Sequence, residues 1–330
     1  MRRALLAFVL AVLLAGAVVV AAIAFDEEEY VAQPPPARGA AADEWQALAP
    51  ATLARTEVAA ARIGRFIYVV GGFEEQSGVT TGALERYDIE RNSWRRLRPI
   101  PVGVNHPAAV AHRGRFYVHG GYTGRRDLSS ATDRLWRYTP ATNRWRRLPD
   151  SPSARAAHAL AVLNGRLYAA GGSNESGSLA SMHVYTFGQQ RWRRGPSFGG
   201  PARNHTTGVA AGRFFYVLAG RDAGNYAVAE RFDPRTRRWE RLPDMQKPRG
   251  GIASVRVGRR VVVFGGEEDT AIREVEIFNP RTRRWSRLPD MLTPRHGLGG
   301  AARGKRIYAI EGGPQPGFHF SSAVEFLDIR

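Results

Sequence analysis

The sequence predicts an all-β protein in which six four-stranded sheets close into a ring. Three observations predict it. First, six of the seven tryptophans, Trp45, Trp94, Trp145, Trp192, Trp239 and Trp285, follow one another at intervals of 49, 51, 47, 47 and 46 residues. Repetition at roughly 20 to 50 residues marks one supersecondary unit used many times. Second, glycine pairs recur at Gly71-Gly72, Gly120-Gly121, Gly171-Gly172 and Gly265-Gly266, with Ala219-Gly220 and Glu311-Gly312 in the remaining two copies. Third, apolar residues alternate with a period of two inside each copy, and helix signals are absent.

The chain opens with Arg2-Arg3 and an apolar run from Ala4 to Phe25. Ala22-Ile23-Ala24 fits the small-x-small pattern of a signal-peptidase site. At about 20 residues the run also reaches across a bilayer uncleaved. Residues 1–25 are therefore a signal peptide or a signal-anchor helix, and either places the rest outside the cytoplasm, as a secreted, periplasmic or singly anchored protein. Residues 26–44, with Asp26-Glu27-Glu28-Glu29 and Pro34-Pro35-Pro36, read as an extended linker. Residues 45–330 hold the repeats.

Each repeat supplies four strands. An inner strand ends at a Gly-Arg or Gly-Lys turn: Gly64-Arg65, Gly114-Arg115, Gly165-Arg166, Gly212-Arg213, Gly258-Arg259 and Gly304-Lys305. Asn164 ahead of Gly165 makes the Asn-Gly pair typical of a tight hairpin. The second strand is aromatic and β-branched, as in Phe66-Ile67-Tyr68-Val69-Val70, and runs into the glycine pair. Glycine suits that position because it takes positive φ and lets neighbouring backbone approach. The third strand carries Tyr87, Tyr138, Tyr185, Phe232 or Phe278, seven residues before the tryptophan of the fourth. A four-stranded sheet of this size cannot bury both faces alone, and packing six around an axis solves that.

The ends predict the closure. The last repeat stops at Arg330 without a tryptophan strand, and Trp45-Gln46-Ala47-Leu48 is a tryptophan strand with nothing before it. The N-terminal strand is expected to complete the sixth sheet, leaving no large exposed edge around the ring.

The glycine pairs, the downstream aromatic and the Trp-x-x-Leu of Trp94 to Leu97 and Trp239 to Leu242 resemble the kelch family of β-propellers over residues 45–330. The copy at Trp192 departs, with Gly195 in the leucine position. The resemblance implies a six-bladed kelch propeller. It does not choose a task, since one fold hosts many functions.

The chain has no cysteine, which removes disulfides, thiolate metal sites and cysteine nucleophiles. Its net charge of +18 is almost wholly arginine, Lys247 and Lys305 being the only lysines. In a four-stranded meander the one–two and three–four loops share a face, and here that face is basic. Such a face meets the anionic headgroups of a membrane if the N-terminal helix stays embedded; otherwise it is a solvated charge set that protects sheet edges. Nucleic acid is not the expected partner of an exported chain.

The two–three and four–one loops share the other face. There Arg55, Arg155, Arg203, Arg249 and Arg295 stand sixteen residues before the glycine-pair position, with Val104 in the second copy. His106, His158, His205 and His296 lie beside them, and Phe73 and Tyr122 follow glycine pairs. Ring closure brings these loops together, so the arginines are expected to form an anion-binding surface, since guanidinium groups match carboxylates in a bidentate way. Alternatively they pack along the channel or pair with Asp150, Asp244 and Asp290. Glu57, two residues after Arg55, argues against a purely anion-binding ring. No metal or other cofactor is expected, because the offsets of the four histidines differ between repeats. Glu85, Glu230, Glu276 and Glu325 share one third-strand position, which argues for a structural hydrogen bond to backbone rather than catalysis.

No nucleophile–base pair, metal spacing or phosphate loop is visible. The expected function is thus an exported binding or scaffold module for an acidic peptide, glycan or envelope polymer. Resemblance to other kelch proteins offers an enzyme as the alternative: a sugar-modifying protein similar to a sialic acid mutarotase, although no catalytic residue of that family maps here.

Overall fold

The computed structural model of the chain describes residues 29–30 and 44–330. Six four-stranded antiparallel meanders follow one another around an axis. The first runs Ala59–Ile63, Phe66–Val70, Leu84–Asp88 and Ser93–Leu97, and the fifth Ala253–Val257, Arg260–Phe264, Val275–Asn279 and Arg284–Leu288. The second, third and fourth repeat the order. In the sixth, Gly299–Arg303, Arg306–Ile310 and Val324–Asp328 are completed by Gln46–Ala47, with Gln46 opposite Phe326 and Ala47 opposite Glu325. The expected N-terminal closure is present, and the fold is an all-β six-bladed propeller. The predicted leader lies outside the described residues. Part of the expected linker does pair: Glu29–Tyr30 lies along the outer edge of the first blade, opposite Arg95 and Trp94.

The hairpin turns follow from their glycines. Asn164 and Gly165 both have positive φ, 51° and 70°, as a type I′ turn requires. The second member of the pair is glycine in all six copies. A Cβ there would stand 2.4 Å from the Thr56 carbonyl at Gly72 and 2.6 Å from the His296 carbonyl at Gly312. The first member is as close to backbone in the first two blades, a Cβ on Gly71 standing 2.3 Å from the Val104 carbonyl and on Gly120 2.2 Å from the Arg155 carbonyl, whereas in the fourth and sixth copies Ala219 (53°) and Glu311 (55°) hold that position in the left-handed region.

The core lies between blades. Tyr68 of the first blade packs on Phe116 and Tyr138 of the second, with ring centroids 5.7 and 6.0 Å apart. The third-strand aromatics sit directly opposite the tryptophans, as at Tyr87 and Trp94, whose centroids are 5.1 Å apart. Each tryptophan of the series also reaches backward around the ring. Its Nε1–H donates to the carbonyl four residues after the preceding tryptophan: Trp94 to Ala49, Trp145 to Arg98, Trp192 to Pro149, Trp239 to Pro196, Trp285 to Pro243 and Trp45 to Pro289. All six bonds are 2.8 or 2.9 Å long. Six clasps join six blades.

Candidate functional site

The inner strands set the width of the axial channel. Their small residues, such as Ala59, Ala108, Gly208, Gly299 and Gly300, line a cavity of about 130 Å³. Six strands converge there, and a Cβ on Gly208 would stand 2.7 Å from the Leu160 nitrogen. At one end the four–one loops draw in and nearly close the channel. One residue per blade does this, two positions after the arginine position: Glu57, His106, Ala157, His205, Gly251 and Gly297. All six have positive φ, between 48° and 67°. Their backbones bond in a circle. His106 N–H donates to the Glu57 carbonyl, Ala157 to His106, Thr206 to Ala157, Gly251 to His205, Gly297 to Gly251, and Val58 to Gly297. This ring is the floor of the mouth.

Above it, the two–three loops bridge to the four–one loops of their own blades, as at Arg55 with Glu74, Asn105 with Tyr122, and His296 with Gly313. The expected grouping of loops on one face is present. The result is a cavity of about 80 Å³ lined by Glu57, Phe73, His106, Leu128, His205, Arg221, Glu267, His296 and Phe318. Its floor is polar and buried. His106 Nε2 lies 3.0 Å from Glu57 Oε2 and 3.0 Å from His205 Nε2. His296 Nδ1 lies 3.1 Å from Glu57 Oε1, and Arg221 pairs with Glu267 at 2.5 Å. Its rim is apolar and exposed. Leu128 and Phe318, 49% and 47% exposed, are two of the three large apolar side chains exposed among the described residues.

Charges on the floor are set by these contacts. Burial alone would raise the Glu57 carboxyl, but the bond it accepts from the His296 N–H holds it well below the usual carboxylate range. Burial pushes His106 and His205 down, so both are neutral near pH 7. Burial also opposes charge on His296, yet its bond to Glu57 prevails and raises it.

The five arginines are the main correction to the sequence reading. Arg55, Arg155, Arg203, Arg249 and Arg295 are fully buried inside the blades and present nothing to a ligand. Each donates to the carbonyl sixteen residues on, at Gly71, Gly171, Ala219, Gly265 or Glu311. Four pair with the third-strand glutamates: Arg55 with Glu85, Arg203 with Glu230, Arg249 with Glu276 and Arg295 with Glu325, at 2.6–3.0 Å. Those glutamates also accept backbone N–H groups, as Glu276 does from Gln246 and Glu325 from Leu292 and Thr293, which is the structural role their repetition implied. Arg155 meets His183 instead, whose Nδ1 accepts at 3.0 Å. The alternative partners Asp150, Asp244 and Asp290 bond to Arg147, Arg241 and Arg287 on the surface.

The histidines divide. His106, His205 and His296 converge on the mouth, whereas His158 turns into the protein and pairs with His119 at 2.9 Å. Phe73 and Tyr122 are buried behind His106, with centroids 6.1 and 5.6 Å from its ring, so they wall the site rather than offer a stacking surface. The exposed ring is Phe318, 4.8 Å from Phe73, with the Arg126 guanidinium 6.0 Å from its centroid. Sequence reasoning missed Phe318, Leu128 and Glu267. Phe318 and Leu128 lie in loops that differ from blade to blade, so no repeat register points to them, whereas Glu267 holds the position after the glycine pair that Phe73 and Tyr122 hold and could have been found by it.

Comparison with known proteins agrees with this architecture. The family model described as the KLHDC2/KLHL20/DRC7 Kelch-repeats domain matches residues 57–249, and the Kelch motif matches residues 248–292. Kelch-like protein 31 of Homo sapiens is 34% identical over 127 residues, which is 37% of this chain and 20% of that protein. Kelch-like protein 25 of Xenopus tropicalis is 30% identical over 140 residues, 40% of this chain and 23% of that protein. The matched regions thus span about a fifth to a quarter of these relatives' length. The solved structure titled "Structure of YjhT" superposes with a TM-score of 0.72, covering 83% of this chain and 95% of that one at 15% identity, a likeness of fold.

Proposed function

The chain belongs to the kelch-repeat family, and from that premise we propose that it is a binding module that takes a segment of a partner protein at the mouth of its ring. Kelch-repeat propellers are protein-binding modules in general. The observation that carries the reading here is the exposed pair Leu128 and Phe318 rimming a buried polar floor. Apolar side chains held open at the lip of a concave site lose little on docking and gain roughly 25 cal/mol for each Å² removed from water.

The buried arginines no longer argue for an acidic ligand, but Arg125 and Arg126 are exposed on the same rim. An apolar anchor residue flanked by carboxylates fits that lip. Arg2-Arg3 and the apolar run that follows them support action outside the cytoplasm. A sugar-modifying activity rests on the shared fold, which hosts many chemistries.

The test is a random-peptide library and a glycan array presented to the whole chain. Enriched peptides are expected to pair an aromatic or aliphatic residue with Asp or Glu. Their binding should weaken at least tenfold in F318A and in R126E. Enrichment indifferent to both substitutions, or binding of glycans alone, overturns the reading.

A further inference from the structure

The floor of the mouth contains an unresolved conflict of hydrogen bonding. The Gly124 carbonyl accepts the Thr80 hydroxyl at 2.5 Å, so Thr80 Oγ1 is left to accept from Asn105 Nδ2 at 2.7 Å. That fixes the amide, and Asn105 Oδ1 faces His106 Nδ1 at 2.7 Å. An amide oxygen only accepts, so His106 carries its hydrogen on Nδ1 and its Nε2 is a bare lone pair. The fourth blade repeats the arrangement two repeats on: Asn204 Nδ2 donates to Ser178 Oγ at 2.7 Å, and Asn204 Oδ1 holds His205 Nδ1. The two Nε2 lone pairs then face each other at 3.0 Å, and Glu57 Oε2 stands 3.0 Å from the first of them. Three acceptors converge with no donor among them.

His296 completes the pattern without joining it. Its Nε2–H donates to the Gln315 carbonyl at 2.9 Å and its Nδ1 engages Glu57 Oε1 at 3.1 Å. One carboxylate oxygen is thereby occupied and the other is turned to the two imidazoles.

We propose that Glu57 Oε2, His106 Nε2 and His205 Nε2 form a site for a divalent transition-metal ion. A cation resolves the conflict that three lone pairs create. Zinc bonds of about 2.0–2.2 Å in tetrahedral geometry set ligand atoms roughly 3.3 Å apart. The three donor atoms here all lie within 4.8 Å of one another, two of the separations at 3.0 Å. Two imidazoles and one carboxylate suit zinc and its first-row neighbours rather than magnesium or calcium. Asparagine oxygens on both Nδ1 atoms and the His296 contact on Glu57 are the outer partners that orient metal ligands. The three residues line both the mouth and the channel, so a fourth position is reachable from solvent. The sequence argument against a metal compared four histidines at unequal offsets. Two of them, His106 and His205, share one offset and one preceding asparagine, and only the ring brings Glu57 to them. The site is independent of the protein-binding reading.

The experiment uses the full chain, stripped with a chelator and titrated with Zn²⁺ and Co²⁺. One ion per chain is expected, with the intense visible bands of four-coordinate cobalt and a zinc-dependent rise in melting temperature. E57Q and H205Q should lose all three signals, and H296Q should bind some 10–100-fold more weakly. H319A, at an exposed histidine, should bind like the parent. Circular dichroism establishes first which variants fold; E57Q, which keeps the side-chain shape, reads the site if H205Q does not. A parent chain whose spectrum and melting ignore both ions, or binding that survives unchanged in a folded E57Q, or binding lost in H319A, overturns the proposal.

Discussion

Arg249 shows how one repeated residue type can look like a binding surface and be part of the frame. Its guanidinium meets the carbonyls of Gly265 and Glu274 and the Glu276 carboxylate, all inside the fifth blade. It ties the end of the second strand to the third strand and to the incoming four–one loop. In the second blade both members are exchanged together: Val104 stands in the arginine position and Trp136 in the glutamate position, and the two share one apolar cluster. This explains the seventh tryptophan, which falls outside the periodic series. It also shows that the frame accepts either a satisfied ion pair or an apolar pair. Breaking a buried pair on one side costs about 3–5 kcal/mol because a charge is left behind, while replacing both sides is often near neutral. R249M is therefore expected to lose stability of that order in denaturant unfolding, and R249M/E276L to recover most of it. Equal losses in the single and double variants would show that the ion pair is not the origin. The recurrence of arginine and glutamate was legible in the sequence. Their mutual contact was not, because the arginine's loop and the glutamate's strand are separated by two strands and a variable loop, and a guanidinium matched to a carboxylate reads the same whether the carboxylate is a ligand's or the chain's own.

Each blade is held to its predecessor by a tryptophan clasp, and the clasp that closes the ring is the one made by the N-terminal segment. Trp45 is 4% exposed, packs with Phe264 and Met291 of the fifth blade, and donates to Pro289. Gln46 and Ala47 supply the outer strand of the sixth. A chain starting at Ala51 loses all of this and leaves Val324–Asp328 as an unpaired edge. Against one starting at Asp43 it is expected to be less stable by roughly the cost of removing a buried tryptophan, about 3–5 kcal/mol, read as a lower melting temperature. Equal melting temperatures would deny the closure its weight. The strand itself could be read from the sequence, since Trp45 lacks a preceding repeat and the last repeat lacks a tryptophan. The backward reach of the indole N–H could not. It depends on the carbonyl four residues past the previous tryptophan, where the side chain varies from Ala49 to Arg98 to proline and carries no signal. The mouth was legible in the same partial way. Periodicity identified which loops meet, but Phe318 and Leu128 lie in loops of unequal length that follow no repeat.

For the whole molecule, closing a ring buries histidines that cannot take up a proton, and this sets its response to acid. His119, His158 and His205 are held well below their ordinary value by burial, and His183 is pushed down to about 4 by burial with Arg155 and Arg194 beside it. The unfolded chain takes up these protons near pH 6.5 and the folded chain does not. Their contribution to stability is thus fully present above pH 6.5 and is lost as the pH falls below it. Glu311 acts in the opposite sense. Burial, partly offset by Arg55, lifts its carboxyl to about 8, so the folded chain keeps a proton that the unfolded chain releases near 4.5. That contribution is present in acid and disappears as pH rises from about 4.5 to 8. The melting temperature should therefore fall on both sides of an intermediate pH, with separable causes. E311Q is expected to flatten the alkaline side and leave the acid side alone. H119L/H158L, which removes two facing rings 2.9 Å apart with a buried unpartnered nitrogen on each, is expected to do the reverse. Melting curves from pH 4 to 9 for the three proteins decide it, and an acid limb unchanged in H119L/H158L would assign acid sensitivity to groups other than this pair.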